Sequence, residues 1–195
     1  MPSINDIRIA VICSSNMNRS MEAHGFLSKK GFNVKSYGTG EKVKLPGEAA
    51  DKPNVYEFGT TYDEIFKDLQ NKNKTLYTEN GILHILERNK RIKSTPERFQ
   101  DTKEKFDLLI TCEEKVYDQV LEHMDSATVV ENSIVHVINF DITDNLDEAT
   151  VGAFLIGDLC SLIVNAEDLD DDIEEVLAGF EEKNQKKILH SIVFN

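Results

Sequence analysis

The chain has 195 residues, 40% of them hydrophobic, with no linker rich in Pro, Gly or Ser and no internal repeat, so one compact domain over 1–195 with a substantial core is expected. A formal charge of −13 provides no global positive field to release counterions, which argues against direct binding of nucleic acid. Scattered cysteines at 13, 112 and 160 exclude a disulfide framework, the N-terminus shows no basic-then-apolar signal, and Val151–Val164, broken by Asp158, is too short for a bilayer. A soluble intracellular protein without membrane attachment is expected.

In chain order, Ile7–Ile12, apolar apart from Arg8, reads as a strand, and a helix follows from Ser20 to about Lys30, closed by Gly31. Phe32–Tyr37 reads as a second strand. Regularity is then lost: Gly38-Thr39-Gly40 and Leu45-Pro46-Gly47 punctuate what reads as a polar loop reaching Asp51-Lys52-Pro53. A helix is expected from about Tyr62 to Gln70, an extended piece around Tyr77, and a helix from about Asn80 to Asn89. The basic cluster Arg88-Asn89-Lys90-Arg91-Ile92-Lys93 reads as a solvated helix end.

Phe106–Thr111 is a strand, and Glu113–Met124 an amphipathic helix with Val116, Val120 and Leu121 on one side. Ser133–Phe140 is a further strand, and helices of about Asp147–Ala166 and Leu169–Lys187 precede a strand-like Ile188–Phe194. The acidic run from Glu167 to Asp172, with Glu174-Glu175, suits the start of the last helix, where the dipole favours negative charge. Strands alternating with helices predict an α/β domain of three layers, a central mostly parallel sheet flanked by helices, with an inserted segment around 40–100.

The segment Cys13-Ser14-Ser15-Asn16-Met17-Asn18-Arg19-Ser20 lies between the first strand and the first helix. A chain turning back over small or polar residues aims successive backbone N–H groups inward as an anion nest, and the helix adds its free N-terminal donors. Ser14, Ser15, Asn16, Met17, Asn18 and Ser20 are therefore expected to cradle a phosphoryl group without a metal, and Arg19 to fork onto two of its oxygens. Such a positive field favours thiolate over thiol, the form in which Cys13 would be a nucleophile. The Ser20 hydroxyl can donate to that sulfur or cap the helix.

Open parallel sheets place their chemistry beyond the carboxyl ends of the strands, which singles out Cys13, Cys112, Asp141 and Asp144. Phosphoryl transfer to Cys13 also needs an acid for the departing oxygen. Among Asp141, Asp144 and Asp147, Asp144 is favoured, in the turn Thr143-Asp144-Asn145; Asp141 is expected to brace the loop and Asp147 to cap the next helix. His24, His84, His123, His136 and His190 have no metal spacing, so no metal or cofactor is expected. Cys112 and Cys160 read as packed thiols.

The Cys-x5-Arg-Ser loop with its acid far downstream resembles the low-molecular-weight protein tyrosine phosphatase architecture. It departs from that family at Ser15, where glycine is usual, at Asn18, where a second cysteine is usual, and at Asn145, where the acid is usually followed by proline and tyrosine. A deep phosphotyrosine slot is therefore not expected. Across nearly the whole chain the sequence is more similar to the eukaryotic family of RNA polymerase II C-terminal-domain phosphatases of the messenger RNA 3′-end processing machinery. The similarity is carried by Val11–His24, Gly38-Thr39-Gly40, Val43-Lys44-Leu45-Pro46-Gly47, Asn89–Lys93 and Ala153-Phe154-Leu155-Ile156.

That resemblance implies a nuclear enzyme that removes phosphate from phosphoserine at the fifth heptad position, followed by a cis proline, through a cysteinyl-phosphate, and that binds the scaffold symplekin. It maps the nucleophile to Cys13, the phosphate arginine to Arg19 and the acid to Asp144, and lines the substrate groove with Met17, Lys44, Leu45 and Pro46. The alternatives are a phosphopeptide-binding module and a low-molecular-weight tyrosine phosphatase of other specificity. An arsenate reductase would need resolving cysteines that residues 74–100 lack, and a Rossmann-like domain would need a Gly-x-Gly-x-x-Gly turn after the first strand.

Overall fold

The structure is a computed structural model that describes residues 6–195. The chain runs β1 (Arg8–Cys13), α1 (Arg19–Lys29), β2 (Asn33–Gly38), β3 (Val43–Ala49), β4 (Lys52–Tyr56), α2 (Tyr62–Glu79), α3 (Ile82–Lys90), β5 (Leu108–Thr111), α4 (Glu114–Ser126), β6 (Ile134–Asn139), α5 (Leu146–Asn165), α6 (Leu169–Asn184) and β7 (Leu189–Phe194). The main sheet has the order β2-β1-β5-β6-β7, parallel except for β7, which pairs antiparallel with β6 at the edge.

Period-two alternation divides β1 between two cores. Ile9, Val11 and Cys13 face the layer of α1, α5 and α6, while Ala10 and Ile12 face Val116 and Val120 of α4. This is the three-layer arrangement expected from the sequence. The connection after β1 leads to β2 on one side, whereas β5 lies on the other side of β1 and is followed by α4 on the opposite face. The loops after β1 and β5 therefore part, and a crevice opens at the carboxyl ends of the two strands.

Three local expectations are corrected. The stretch read as a polar loop is an antiparallel hairpin, β3 with β4. Each of its strands is an edge, so Pro46 and Pro53 cost no ladder bond, and Val43 and Leu45 are buried while Lys44 and Pro46 face out. Its register shifts between Leu45 and Ala49, and there a Cβ on Gly47 would lie 1.7 Å from the Lys52 carbonyl oxygen, so glycine is required.

Tyr77, expected in an extended piece, is buried in α2. The helix starts with a capping box between Thr61 and Glu64, breaks at Asn73 (φ −164°, ψ 86°), and starts again because Asn73 Oδ1 accepts from Leu76 N at 3.1 Å. Lastly, Asn145 rather than Asp147 caps α5, its Oδ1 accepting from Glu148 N at 2.8 Å.

The segment between β2 and β5 builds a third apolar cluster from Val43, Leu45, Tyr62, Ile65, Leu69 and Leu86 together with Met17 and Met21. This cluster seats the hairpin against the loop that follows β1.

Candidate active site

Residues Ser14–Asn18 wind from the end of β1 to the first residue of α1, Arg19. What shapes them is where their carbonyls go. Thr39 N donates to Cys13 O and Gly40 N to Ser14 O, both at 3.0 Å. The Tyr62 hydroxyl donates to Asn16 O at 2.7 Å, and Asn89 Nδ2 and Arg88 Nη2 donate to Met17 O at 2.8 and 2.9 Å. Asn18 O accepts from Glu22 N at 2.9 Å. With these carbonyls tied to groups outside the loop, its amides are left for the concave side, the requirement for an anion nest.

Asn16 makes the tight turn possible. It has φ 55°, in the left-handed region that asparagine tolerates. Its side chain is committed to structure: Nδ2 donates to Ser20 Oγ at 2.9 Å and Oδ1 accepts from Glu97 N at 3.0 Å. The backing strand comes so close that a Cβ on Gly38 would lie 2.6 Å from Ser14 O. Ser15 is pinned to the hairpin, its Oγ accepting from Lys44 N at 3.1 Å.

Cys13 is 3% exposed and sits at the floor of a cleft of about 810 Å³. Its Sγ is 3.0 Å from Ser20 Oγ. Ser20 oxygen also accepts from Asn16; toward a Cys13 thiolate, which has no hydrogen to give, its single hydrogen points at the sulfur. Ser20 lies inside the first turn, and the N-cap position belongs to Asn18, whose side chain makes no cap bond.

The Arg19 side chain is 6% exposed and is held by its Nη1, which donates to Glu113 Oε2 at 2.9 Å and to Ile142 O at 3.0 Å. Arg19 Nε is buried with no hydrogen-bond partner among the described residues. Burial opposes the charge of Arg19, but the Cys13 sulfur, the Asp144 carboxylate and the Glu113 bond outweigh it and hold the guanidinium above its ordinary pKa. Glu113 was not anticipated from sequence. It stands two residues past β5, beside Cys112, and the strand-end rule that singled out Cys112 reaches it as well.

Of the three candidate acids, Asp144 enters the cleft. Its side chain is 62% exposed, its Oδ1 lies 3.8 Å from Arg19 Nε, and it accepts from Asn18 Nδ2 at 3.0 Å. Asp147 also lines the cleft, with Asn145 and Glu148, but no bond ties it to the loop or to Arg19 among the described residues. Asp141 is outside the lining and accepts from Asn139 Nδ2 at 3.3 Å, within its own loop. Across the cleft, Lys44, Leu45 and Pro46 of β3 form the facing wall, and Met17 joins the loop to it.

The basic cluster is only in part a solvated helix end: Arg91 is exposed, whereas Arg88, Asn89 and Lys93 turn inward. Arg88 reaches inward, its Nη1 2.5 Å from Glu22 Oε2, and buried Asn89 bonds the loop. Lys93 Nζ donates to Ser36 O at 2.8 Å, and burial lowers its pKa against the pull of Glu97 and Cys13. Cys112 and Cys160 are buried free thiols, and burial pushes both upward, Cys160 to about 12. Among the described residues, no group of three or more His, Cys, Asp or Glu side chains is gathered as a metal ion would require. No helix there is long and apolar enough to cross a membrane.

A buried cysteine sulfur at the floor of an outward-tied loop, at the carboxyl end of a strand in a mostly parallel sheet and with a buried guanidinium beside it, matches the architecture of the metal-independent cysteine phosphatases. Within that class the chain belongs to the Ssu72-like protein family, which matches residues 7–195. It is 59% identical over 194 residues to the RNA polymerase II C-terminal domain phosphatase SSU72 of Homo sapiens, covering 100% of both chains. The Caenorhabditis elegans phosphatase ssup-72 is 53% identical over 190 residues, covering 96% of each chain. A crystal structure of D. melanogaster Ssu72 with symplekin, bound to a cis peptidomimetic of the C-terminal domain carrying phosphoserine at the fifth position, superposes with a TM-score of 0.95. It shares 57% identity over 98% of this chain and 100% of that one.

Proposed function

We propose that residues 1–195 work as one phosphatase domain in the nucleus, removing phosphate from phosphoserine followed by a cis proline in the heptad repeats of the RNA polymerase II C-terminal domain, with symplekin as scaffold. The observation that carries the reaction class is the loop whose carbonyls are bonded from outside, with the Cys13 sulfur at its base and Arg19 Nε without a hydrogen-bond partner among the described residues. The substrate class rests on the relatives, whose names specify that polymerase domain, and on the peptide bound in the D. melanogaster structure.

In this reading the Cys13 thiolate attacks phosphorus in line while loop amides and Arg19 hold the equatorial oxygens. The S–P bond forms as the P–O bond to serine breaks, and Asp144 delivers its proton to the departing oxygen. Asp144, now ionised, takes a proton from water as it attacks the cysteinyl-phosphate. Phosphate leaves, and the Ser20 hydroxyl meets the sulfur as its charge returns. The hairpin wall of Lys44, Leu45 and Pro46 faces the acid across the cleft, where an extended peptide can lie between them.

Phosphate release from a serine-phosphorylated heptad peptide, measured with chelator and reductant present, tests this. Steady release that chelator leaves intact and vanadate blocks is expected. Stoichiometric binding without release would make the chain a phosphopeptide-binding module.

A further inference from the structure

Asn18, expected only to help cradle phosphate, commits its side chain elsewhere. It is 8% exposed, and its Nδ2 donates to Asp144 Oδ1 at 3.0 Å, across 126 residues of sequence. That is the side chain's only hydrogen bond among the described residues, because its Oδ1 is buried without a partner and it makes no cap bond to α1. Neither capping nor packing explains an amide here, since an unpartnered buried oxygen is a cost that an apolar residue would avoid.

Asp144 needs what Asn18 supplies. It lies in the exposed turn between β6 and α5, with a side chain 62% exposed, and a carboxylate on such a turn would sample several rotamers. The Asn18 carbonyl is held twice: it accepts from Glu22 N at 2.9 Å and from Arg88 Nη2 at 3.4 Å.

We infer that Asn18 is a positioning residue for Asp144: its amide holds Oδ1 and leaves Oδ2 for the leaving oxygen in the first step and for water in the second. The acid is thereby referenced to the loop that holds phosphorus, so one rigid element sets the distance over which the proton moves. The inference rests on Asp144 being the general acid, as proposed above.

The test compares wild type with Asn18→Ala, Asn18→Asp, Asp144→Ala and the double variant Asn18→Ala/Asp144→Ala. Turnover of the phosphoserine heptad peptide is set beside the nitrophenolate burst from p-nitrophenyl phosphate, whose leaving group needs no acid. Asn18→Ala and the isosteric Asn18→Asp, which replaces the donor by a carboxylate, should each lower kcat on the peptide roughly 10- to 100-fold. For Asn18→Ala, KM, vanadate inhibition and the burst rate should change less than about threefold, and in the Asp144→Ala background this loss of the amide should have no further effect. An equal loss for both substrates, or an undiminished loss in the Asp144→Ala background, would overturn the inference while leaving the acid assignment standing. Unaltered peptide turnover in Asp144→Ala would instead remove the acid assignment itself.

Discussion

Ser20 Oγ stands 3.0 Å from Cys13 Sγ and at the same time receives the Asn16 amide at 2.9 Å. The hydroxyl is thus oriented by the residue whose left-handed backbone makes the turn, and a bend in the chain becomes a directed donor at the nucleophile. Ser20→Ala should slow release of the sulfur from the cysteinyl-phosphate more than its formation. A fall in kcat of about 10- to 100-fold, with the nitrophenolate burst followed by a correspondingly slower steady phase, is expected. Stopped-flow measurement checks it, and an unchanged kcat would show that the hydroxyl serves packing only.

Arg88 is the second support of the loop. Its guanidinium joins Glu22 to Met17 O, and burial lowers its pKa against the pull of Glu22. Arg88→Ala leaves those partners underbonded and should cost about 2–4 kcal/mol in urea denaturation, along with weaker vanadate inhibition. Arg88→Lys should recover less than half of the loss, because one ammonium cannot span both partners as a planar fork does. Stability within about 0.5 kcal/mol of wild type for the alanine variant would place Arg88 among surface charges.

Stability should also depend on pH through His24. Burial, assisted by the charge of Lys93, pushes its pKa from 6.5 down to about 4, against the pull of Glu97. Between those values the unfolded chain binds a proton that the native state does not. The native state is therefore at full advantage above pH 6.5 and loses it as pH falls toward 4. The loss is on the order of 2 kcal/mol. Denaturation of wild type and His24→Gln across this range should give a shallower slope for the variant, and identical slopes would exclude His24 as the cause.

The proposed selection of a cis proline has a kinetic consequence. About 10–30% of such bonds in a flexible tail are cis, and exchange takes tens of seconds or more. At high enzyme concentration the progress curve should split into a fast phase and a slow one, and a prolyl isomerase should abolish the slow phase. A single phase indifferent to isomerase would mean that both isomers are accepted.

Much of the framework was legible because its signals are local. Ile7–Ile12 and Phe106–Thr111 are mostly apolar runs, each broken by one charged residue, Arg8 or Asp107, and the matching strands lie side by side in the sheet. The hairpin escaped because Pro46, Gly47 and Pro53 outweigh a short alternation, although prolines are harmless where both strands are edges. Tyr77 escaped because Asn73 interrupts the helix and then caps its continuation. In the cleft, the residues near Cys13 come from one contiguous motif, whereas Glu113 and the grip of Asn18 on Asp144 depend on contacts between distant segments. The inward turn of Arg88 was hidden for the same reason, since a run of charges carries no mark of the face it covers.

The proposed reaction runs through a covalent bond between phosphorus and the Cys13 sulfur. Rapid acid quenching of wild-type enzyme during turnover of a radiolabelled phosphoserine heptad peptide, followed by peptide mapping, should place the label on Cys13. Cys13→Ser should bind phosphate yet neither carry label nor release it. Turnover by Cys13→Ser at the wild-type rate, or turnover of wild type with no labelled Cys13, would contradict the account.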